Sequence, residues 1–342
     1  MRILQIYDVS NYVHVGMVIP PYKNFSSYGF PLGGVKYFLK YLVEDLAQNK
    51  NSVVCFDSKT RKSYPGYKAK RLHDPSIEIQ LEFLYDTLLR CGIHCLKVDG
   101  YEADDLIATC SKLACESGQF DRIYIMSDDS DNTHNVNNIV SQLAVTSNGR
   151  DIDAKNYSDT VIIGHHLLLN TTSFWKVLHG CKSDNIPAFS GSMSNRDIYK
   201  YFIDVCNIAL VGKIDLISSR AAFNACISQL SDLSASDLIE LKQRADIIYP
   251  DILENVPLKF SNINTIHVEN LTKILSIVRD INSLKKFKLE PVTVDNSDIE
   301  FFKNSARKLK NGEFSVDNDM PIFADRIVNN SIPLASEMRS FT

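Results

Sequence analysis

The stretch Tyr101-Glu102-Ala103-Asp104-Asp105-Leu106-Ile107 places three carboxylates within four residues, where an apolar helical pattern begins. The run over residues 93–98 before it is strand-like, and Asp99-Gly100 forms the turn between strand and helix. Acidic side chains in a first helical turn are favoured by the helix dipole, so helix capping is one interpretation. Three adjacent carboxylates repel one another, and this repulsion favours a bound cation as the second interpretation.

Short apolar runs alternate with helical patterns through the N-terminal half of the chain. The strand-like runs cover residues 3–7, 52–56, 93–98 and 122–126, and the helical patterns cover 33–46, 77–91 and the segment from 102. Strands that alternate with helices predict an α/β fold with a parallel sheet and right-handed crossovers. Beyond residue 195 the pattern is mostly helical.

Acidic residues follow each of the predicted strands. They are Asp8, Asp57, the Glu102/Asp104/Asp105 group and the Asp128/Asp129/Asp131 group. Because α/β sheets bind ligands beyond the carboxyl ends of their strands, we expect these side chains to meet at one edge. Hard oxygen ligands select Mg²⁺ or Mn²⁺ over zinc. The pair His165-His166 lies in an apolar context without metal-binding partners nearby, which favours a structural role.

The most basic stretch of the chain covers residues 59–71 and contains no acid. Its cations are Lys59, Arg61, Lys62, Lys68, Lys70 and Arg71, and Tyr64 and Tyr67 lie between them. A charge run alone is typical of a solvated loop. This run begins two residues after Asp57, so it is expected to overhang the acidic edge, where cations attract a phosphodiester. The tyrosine rings add faces on which an unstacked base can rest.

The composition is typical of a soluble globular protein of 342 residues with a net charge of −4. The chain lacks an apolar run of about 18 residues, and its N-terminus is too short and polar for a signal peptide, so we expect no membrane partner and a cytoplasmic location. The eight cysteines lack Cys-x-x-Cys spacing, which is typical of reduced thiols. The net charge argues against a uniformly basic surface but leaves nucleic-acid binding open, because local clustering decides it.

Four motifs resemble, in order, those of the 5′-nuclease family, which includes flap endonucleases, the 5′-nuclease domain of bacterial DNA polymerase I and bacteriophage 5′-exonucleases. The most specific is Tyr-Glu-Ala-Asp-Asp (101–105), and Tyr-Lys-Ala-Lys-Arg (67–71) resembles the family's Tyr-Lys-x-x-Arg. Ser-Asp-Asp-Ser-Asp (127–131) stands where the family has Thr-Gly-Asp-x-Asp. Gly-Cys-Lys-Ser-Asp-Asn-Ile-Pro (180–187) stands where it has Gly-Asp-x-x-Asp-Asn-Ile-Pro. A fainter likeness of the later chain to bacteriophage ribonuclease H favours a phage replication protein.

The resemblance implies a PIN-like parallel sheet flanked by helices, followed by a helical helix–three-turn–helix module. We therefore expect a PIN-like nuclease domain over residues 1–175, with a basic arch over 59–84. The helix–three-turn–helix DNA-binding module is expected over 176–255, and a helical C-terminal extension over 256–342. The polar tail from Val328 is a candidate site for a replication-protein partner.

The resemblance also implies two metal ions and a role for each matching residue. The first ion would be held by Asp8, Asp57, Glu102 and Asp104, with Asp105 supporting this ligand set. Asp129 would lie between the ions, and Asp131 and Asp184 would hold the second. The residues expected to act in catalysis are Lys68, Arg71 and Asp104. Nucleic-acid contacts are expected from Lys59, Arg61, Lys62, Tyr67, Lys68, Lys70, Arg71 and Gly191.

Two positions depart from the family's pattern. Cys181 replaces the first aspartate of Gly-Asp-x-x-Asp, and a neutral thiol is a poor ligand for Mg²⁺, so the second metal site is expected to be weak. After Pro187 only Gly191 remains of the family's glycine-rich hairpin, and Met193 occupies another glycine position. The second departure weakens the expectation of duplex docking and monovalent-ion binding there.

These features predict a metal-dependent, structure-specific 5′-nuclease acting in replication or repair. Its substrate would be DNA or a DNA/RNA hybrid with a 5′ single strand, cut as a 5′→3′ exonuclease, flap endonuclease or ribonuclease H. One alternative is a nucleic-acid-binding relative with little catalysis, because a second-metal ligand is missing. Another is a PIN-type ribonuclease on single-stranded RNA, which the long chain after Pro187 disfavours.

Overall fold

A computed structural model describes most of the chain. It covers residues 1–48, 50–58, 68, 74–143, 145–146, 149–150, 162–163, 166–167, 172–182, 184–189, 200, 203–204, 207–208, 220–230, 233–256, 258, 260, 266–286, 288–291 and 296–328. Several predicted features lie outside these residues, namely Lys59, Arg61, Lys62, Tyr67, Lys70, Arg71, His165, Gly191 and the tail from residue 329.

The described strands and helices alternate through the first half of the chain. The strands are β1 (Ile3–Asp8), β2 (Ser26–Ser27), β3 (Phe30–Pro31), β4 (Asn51–Cys55), β5 (His94–Leu96), β6 (Arg122–Met126), β7 (Val140–Leu143), β8 (Val145–Thr146), β9 (Gly149–Arg150), β10 (Ile162–Ile163) and β11 (His166–Leu167). The helices are α1 (Val9–Val18), α2 (Gly33–Ala47), α3 (Pro75–Arg90), α4 (Ala103–Ser117), α5 (Thr172–His179), α6 (Arg220–Ile227), α7 (Ala235–Ile248), α8 (Val268–Ile277), α9 (Ile281–Lys286), α10 (Asn296–Lys310) and α11 (Val316–Val328). A 3₁₀ turn covers Ser130–Asn135.

Five of the strands form one sheet in the order β5-β4-β1-β6-β7, and every neighbouring pair is parallel. Helices flank this sheet, so the predicted α/β class is confirmed. The predicted strand over 93–98 is shorter in the structure, and β7 extends the sheet beyond the strands that the pattern indicated. Among the described residues, no helix combines the length and apolarity needed to cross a membrane.

Local sequence explains where the helices around the sheet begin. The Asp74 carboxylate caps α3 by accepting from Ser76 N, and Pro75 occupies the first turn, where its missing N–H costs nothing. Helix α1 was not indicated by the pattern because its valines, among them Val13 and Val15, favour strands. It forms because Asp8, at the end of β1, accepts a hydrogen bond from Asn11 N and caps the helix.

The sheet separates two hydrophobic clusters. On one face α4 packs Leu106 and Ile107 against β1, β4 and β6. On the other face, helices α1, α2 and α3 share a larger cluster with α8, α10 and α11, which come from the far end of the chain. A third cluster joins α5, α6 and α7 around Phe223 and Leu241. The boundaries of the three expected domains stay predictions.

Part of the segment predicted as a basic arch is a core helix instead. Residues 75–84 belong to α3, where Ile79, Phe83 and Leu84 are buried in the larger cluster. Apolar side chains at helical spacing bury one face of α3, so this part of the chain cannot form an open arch. Only the basic residues before Asp74 remain as the candidate arch.

Helix α11 is anchored in the larger hydrophobic cluster through Phe323. Its fully buried ring lies 4.3 Å from the ring of Phe30 in a stacked arrangement and 4.9 Å from that of Phe302. The neighbouring Asp325 accepts from Arg90 Nε of α3 at 2.8 Å. The C-terminal helices therefore hold together the face of the sheet opposite α4.

We expect Phe323→Ala to lower the free energy of unfolding by about 3–5 kcal/mol, because a buried aromatic ring leaves a cavity. Chemical denaturation followed by circular dichroism measures the change. Ile322→Ala is the matched control, since Ile322 lies on the same helix with 59% of its surface exposed, and it should shift stability by about 0.5 kcal/mol or less. Equal effects of the two substitutions would show that α11 is not part of the core.

Candidate metal centre

Carboxylates from neighbouring strands lie at one edge of the sheet. Asp8 ends β1 and pairs in register with Cys55 of the adjacent β4, and Asp57 follows two residues later. On the other side of β1, strand β6 leads to Asp129, which precedes the 3₁₀ turn. Glu102 lies at the N-terminus of α4. The parallel topology therefore places the residues that follow these strands together, as expected from the strand pattern.

Three carboxylates of this edge lie within metal-binding distance of one another. One oxygen each from Asp104, Asp129 and Asp131 fall within 4.8 Å of the others. Oxygens bound to one Mg²⁺ at about 2.1 Å lie at most about 4.2 Å apart, so a small side-chain movement would complete a shared site. The donor set consists of hard oxygens only, which suits Mg²⁺ or Mn²⁺.

The Asp8 carboxylate is buried and strongly perturbed. It accepts from Ser127 Oγ at 2.9 Å and from Asn11 N at 3.2 Å, and both hydrogen bonds stabilise the charged form. Burial, followed by repulsion from Asp57, outweighs them and raises the pKa of Asp8 to about 7. A cation at this edge would favour the ionised carboxylate.

The Asp104 carboxylate, at the start of α4, also has a raised pKa. Burial raises the pKa of Asp104 well above its usual value, and repulsion from Asp129 and Asp8 adds to this effect. Asn132 Nδ2 donates to Asp104 Oδ1 at 3.1 Å and holds the carboxylate at the cluster. Like charges that lie this close and are partly withdrawn from solvent fit a site that holds a divalent cation.

Asp57 and Glu102 tie the surrounding loops to the edge. Asp57 accepts from Ser10 Oγ at 2.8 Å and from Ala103 N at 2.9 Å, so it joins β4 to α1 and α4. Glu102 Oε1 accepts from Lys68 Nζ at 2.7 Å. The Lys68 backbone N–H also donates to the carbonyl of Asp184 at 3.0 Å, so Lys68 lies against the acidic cluster.

Asp105 differs from the other predicted ligands because both oxygens of its carboxylate accept hydrogen bonds from backbone N–H groups. Oδ2 accepts from Glu102 N at 3.0 Å and completes the capping box of α4. Oδ1 accepts from Asp251 N at 2.7 Å, and the residue is 1% exposed. Asp105 thus fixes the start of α4 and the chain after α7. Its expected role in supporting the ligand set stays a prediction.

The two carboxylates expected at a second metal position each have a partner from the protein. Asp131 forms an ion pair with Lys176 of α5. Asp184 Oδ2 accepts from Cys181 Sγ at 3.0 Å. Together with Glu102 and Asp104 these side chains line an open cavity of about 420 Å³, which includes its solvent-filled mouth.

The loop that carries Cys181 and Asp184 needs glycine at its start. Gly180 has φ +82°, and a Cβ there would lie 2.6 Å from the carbonyl carbon of Pro187. Cys181 and Ile186 exchange two backbone hydrogen bonds across the loop, at 2.9 and 2.8 Å. This closure turns the Asp184 side chain back towards the thiol.

Two residues of the cavity were missed by the sequence analysis. Lys176 is one cation in a short amphipathic helix, and no local pattern indicates its partner. His134 follows the Asp-x-Asp of the 3₁₀ turn, which was the only available signal. Burial lowers the pKa of His134 to about 4, so its ring is neutral, and Nδ1 lies 3.4 Å from Ser173 Oγ.

Two curated bacterial proteins match part of the chain in sequence. DNA polymerase I of Pseudomonas aeruginosa is 31% identical over 197 residues, which cover 55% of this chain and 20% of that protein. A 5′-3′ exonuclease of Aquifex aeolicus is 32% identical over 132 residues, which cover 36% of this chain and 45% of that protein. The chain thus spans less than half the length of these curated relatives.

Solved structures align over most of the chain at low identity. The bacteriophage T5 5′-exonuclease with bound zinc ions shares 15% identity over 90% of this chain and 99% of its own, with a TM-score of 0.44. Human GEN1 in complex with Holliday junction DNA shares 12% identity over 90% of this chain and 73% of its own, with a TM-score of 0.49.

A protein-family comparison covers the acidic edge directly. Residues 6–161 match the family described as "5′-3′ exonuclease, N-terminal resolvase-like domain". This range contains every carboxylate discussed above except those of Asp184, which is expected at a second metal position, and of residues beyond it. The N-terminal part of the chain is therefore similar to a 5′-3′ exonuclease domain, in the family model and in the bacterial relatives alike.

Proposed function

We propose that the chain is a metal-dependent, structure-specific 5′-nuclease that hydrolyses phosphodiesters next to a 5′ single strand. The observation that carries the proposal is the meeting of Asp8, Asp57, Asp104 and Asp129 at one sheet edge, within a 5′-3′ exonuclease domain. The expected substrate is DNA or a DNA/RNA hybrid. A phage origin and a replication-protein partner for the tail stay predictions.

The proposed first ion is Mg²⁺ or Mn²⁺, held by Asp8, Asp57, Glu102 and Asp104, with Asp129 between it and a second ion. When bound, such an ion polarises a phosphate oxygen and lowers the pKa of an attacking water. A second ion would be held by Asp131 and Asp184. We expect it to bind weakly, because Cys181 replaces a carboxylate and Lys176 already neutralises Asp131.

The chain's own residues would attract and orient the substrate. Lys68 lies at the rim of the cluster, and its ammonium can turn from Glu102 towards a phosphate that approaches the carboxylates. Positive charge at this place offsets the negative charge that develops on the phosphate during hydrolysis. Arg71 and the other cations of residues 59–71 are proposed to guide the single strand over this edge.

A second candidate function is nucleic-acid binding without cleavage. It is favoured because Asp131 and Asp184, which are expected to hold a second ion, already contact Lys176 and Cys181. A 5′-labelled flap and a blunt duplex, each incubated with and without Mg²⁺, separate the two functions. We expect metal-dependent release of the 5′ label from the flap and little cleavage of the blunt duplex. Binding of the flap without cleavage in either Mg²⁺ or Mn²⁺ would establish the binding function instead.

We expect the double substitution Asp57→Asn, Asp104→Asn to abolish cleavage, because it removes two charges from the proposed first metal position. Flap affinity should stay within about tenfold, since cations on the phosphate backbone supply most of it. Glu116→Gln with Glu300→Gln is the charge-matched control, and both of its sites are exposed. A double mutant that cuts at the wild-type rate would place the metal elsewhere.

Replacing Lys68 with methionine keeps the length of the side chain and removes its charge. We expect a fall of about 10²–10³-fold in the single-turnover rate at saturating substrate, as for other groups that stabilise transition-state charge. Lys112→Met is the control on exposed α4 surface. An unchanged rate would show that Lys68 has only a structural role, through its contact with Glu102.

The metal-free protein should become more stable when Asp104 is replaced with asparagine. The amide keeps an oxygen for Asn132 but removes the repulsion from Asp129 and Asp8. We expect a gain of about 0.5–2 kcal/mol in unfolding free energy in EDTA, together with loss of the stabilisation that Mn²⁺ gives the wild type. Glu116→Gln should change neither quantity, and a less stable Asp104→Asn protein would contradict the repulsion.

A further inference from the structure

Lys176 is held inside the cavity at the carboxylate that a second ion would need. Its ammonium contacts Asp131 Oδ1, and the two side chains are only 17% and 28% exposed. The same cavity is lined by Asp104 and Asp184. Lys176 is therefore shielded from solvent among acidic groups, unlike an ordinary surface lysine, which would gain little from such a pair.

The backbone of α5 fixes where this ammonium can reach. The next two residues, Val177 and Leu178, are buried in the cluster of α5, α6 and α7. Arg244 Nε of α7 donates to the carbonyl of Val177 at 2.6 Å, which ties α5 to α7. Lys176 also lies in the last turn of α5, where the helix dipole favours a cation.

The expected second metal position carries less negative charge in this chain than the family's motif would give it. The family's motif has an aspartate where this chain has Cys181, so one carboxylate is replaced by a thiol that donates to Asp184. Lys176 adds a positive charge beside Asp131. A divalent ion that enters this position meets one carboxylate fewer and a resident ammonium, and both changes disfavour its binding.

We propose that the Lys176 ammonium is the resident cation of the second metal position, so that the chain binds one divalent ion and uses Lys176 where a second would bind. This inference rests on the proposed nuclease function. In that hydrolysis the oxygen of water bonds to phosphorus, the bond from phosphorus to the 3′ oxygen breaks, and a proton from the water ends on the leaving oxygen. The ammonium would offset the negative charge that builds on the leaving oxygen.

Counting Mn²⁺ ions bound per chain tests the proposal without nucleic acid. Titration of the 342-residue chain with Mn²⁺, followed by the electron paramagnetic resonance of the free ion, gives the number of bound ions and their affinities. The variants are Lys176→Met, Lys176→Arg and Lys176→Met combined with Cys181→Asp. Lys182→Met is the control, because Lys182 is an exposed lysine of the loop that carries Cys181 and Asp184.

We expect one tightly bound ion in the wild type and in Lys176→Arg and Lys182→Met. Lys176→Met should bind a second ion at least about tenfold more tightly than the wild type does, since a like charge has been removed. The added carboxylate of the double variant should strengthen that second site further. Two ions of similar affinity in the wild type, or no change in Lys176→Met, would overturn the proposal.

Thermal unfolding provides a second measurement in case the Lys176→Met protein is less stable than the wild type. Loss of the ammonium leaves Asp131 unpaired, so the melting temperature in EDTA should fall, and Mn²⁺ should raise it more than in the wild type. A smaller or equal rise in Lys176→Met would contradict the proposal. Failure of the proposed nuclease function would give a different result. The wild type would then cleave no flap with any divalent ion, while Lys176→Met would still bind one Mn²⁺ more than the wild type.

Discussion

The crowding of buried and partly buried carboxylates at one edge of the sheet is the constraint on which the rest of the structure depends. Parallel strands deliver Asp8, Asp57 and Asp129 to one edge, where burial and neighbouring charge raise the pKa of Asp8. The surrounding groups only partly offset this cost, through hydrogen bonds from hydroxyl, amide and backbone groups such as Ser127 Oγ. Such a cluster is stable only within a fold that supplies stability elsewhere, as is common for functional sites.

That stability comes from cores on both faces of the sheet. On one face α4 is fixed twice, by packing of its apolar side and by Asp105, which caps the helix and also accepts from Asp251 N. On the other face, the C-terminal helices close the larger cluster through Phe323. The far end of the chain therefore helps to hold the strands whose ends carry the carboxylates. Residues distant from the edge thus contribute to its geometry through packing alone.

The strand ends and the acidic edge could be predicted because they follow from local patterns. Apolar runs that end in Asp8 and Asp57 need only parallel topology to bring the carboxylates together, and the sheet has that topology. The bond from Asp251 to Asp105 and the burial of Phe323 join distant parts of the chain, and periodicity predicts a helix but not its partner. The expected arch over 59–84 overlaps the helical pattern over 77–91, and the structure places residues 75–84 in α3.

Cys181 shows most clearly what a motif comparison can miss. Judged by its position alone, the cysteine is a lost ligand, and the loss predicts a weaker second site. In the structure the thiol donates to Asp184, and Lys176 forms an ion pair with Asp131, so each carboxylate has a contact within the protein. If the proposed site binds a metal, substitutions of these two residues should have non-additive effects, because their partners Asp131 and Asp184 line the same cavity. The absent carboxylate and the Lys176 ammonium together lower the negative charge of the proposed second site. The cysteine alone would explain only weaker binding of a metal ion there.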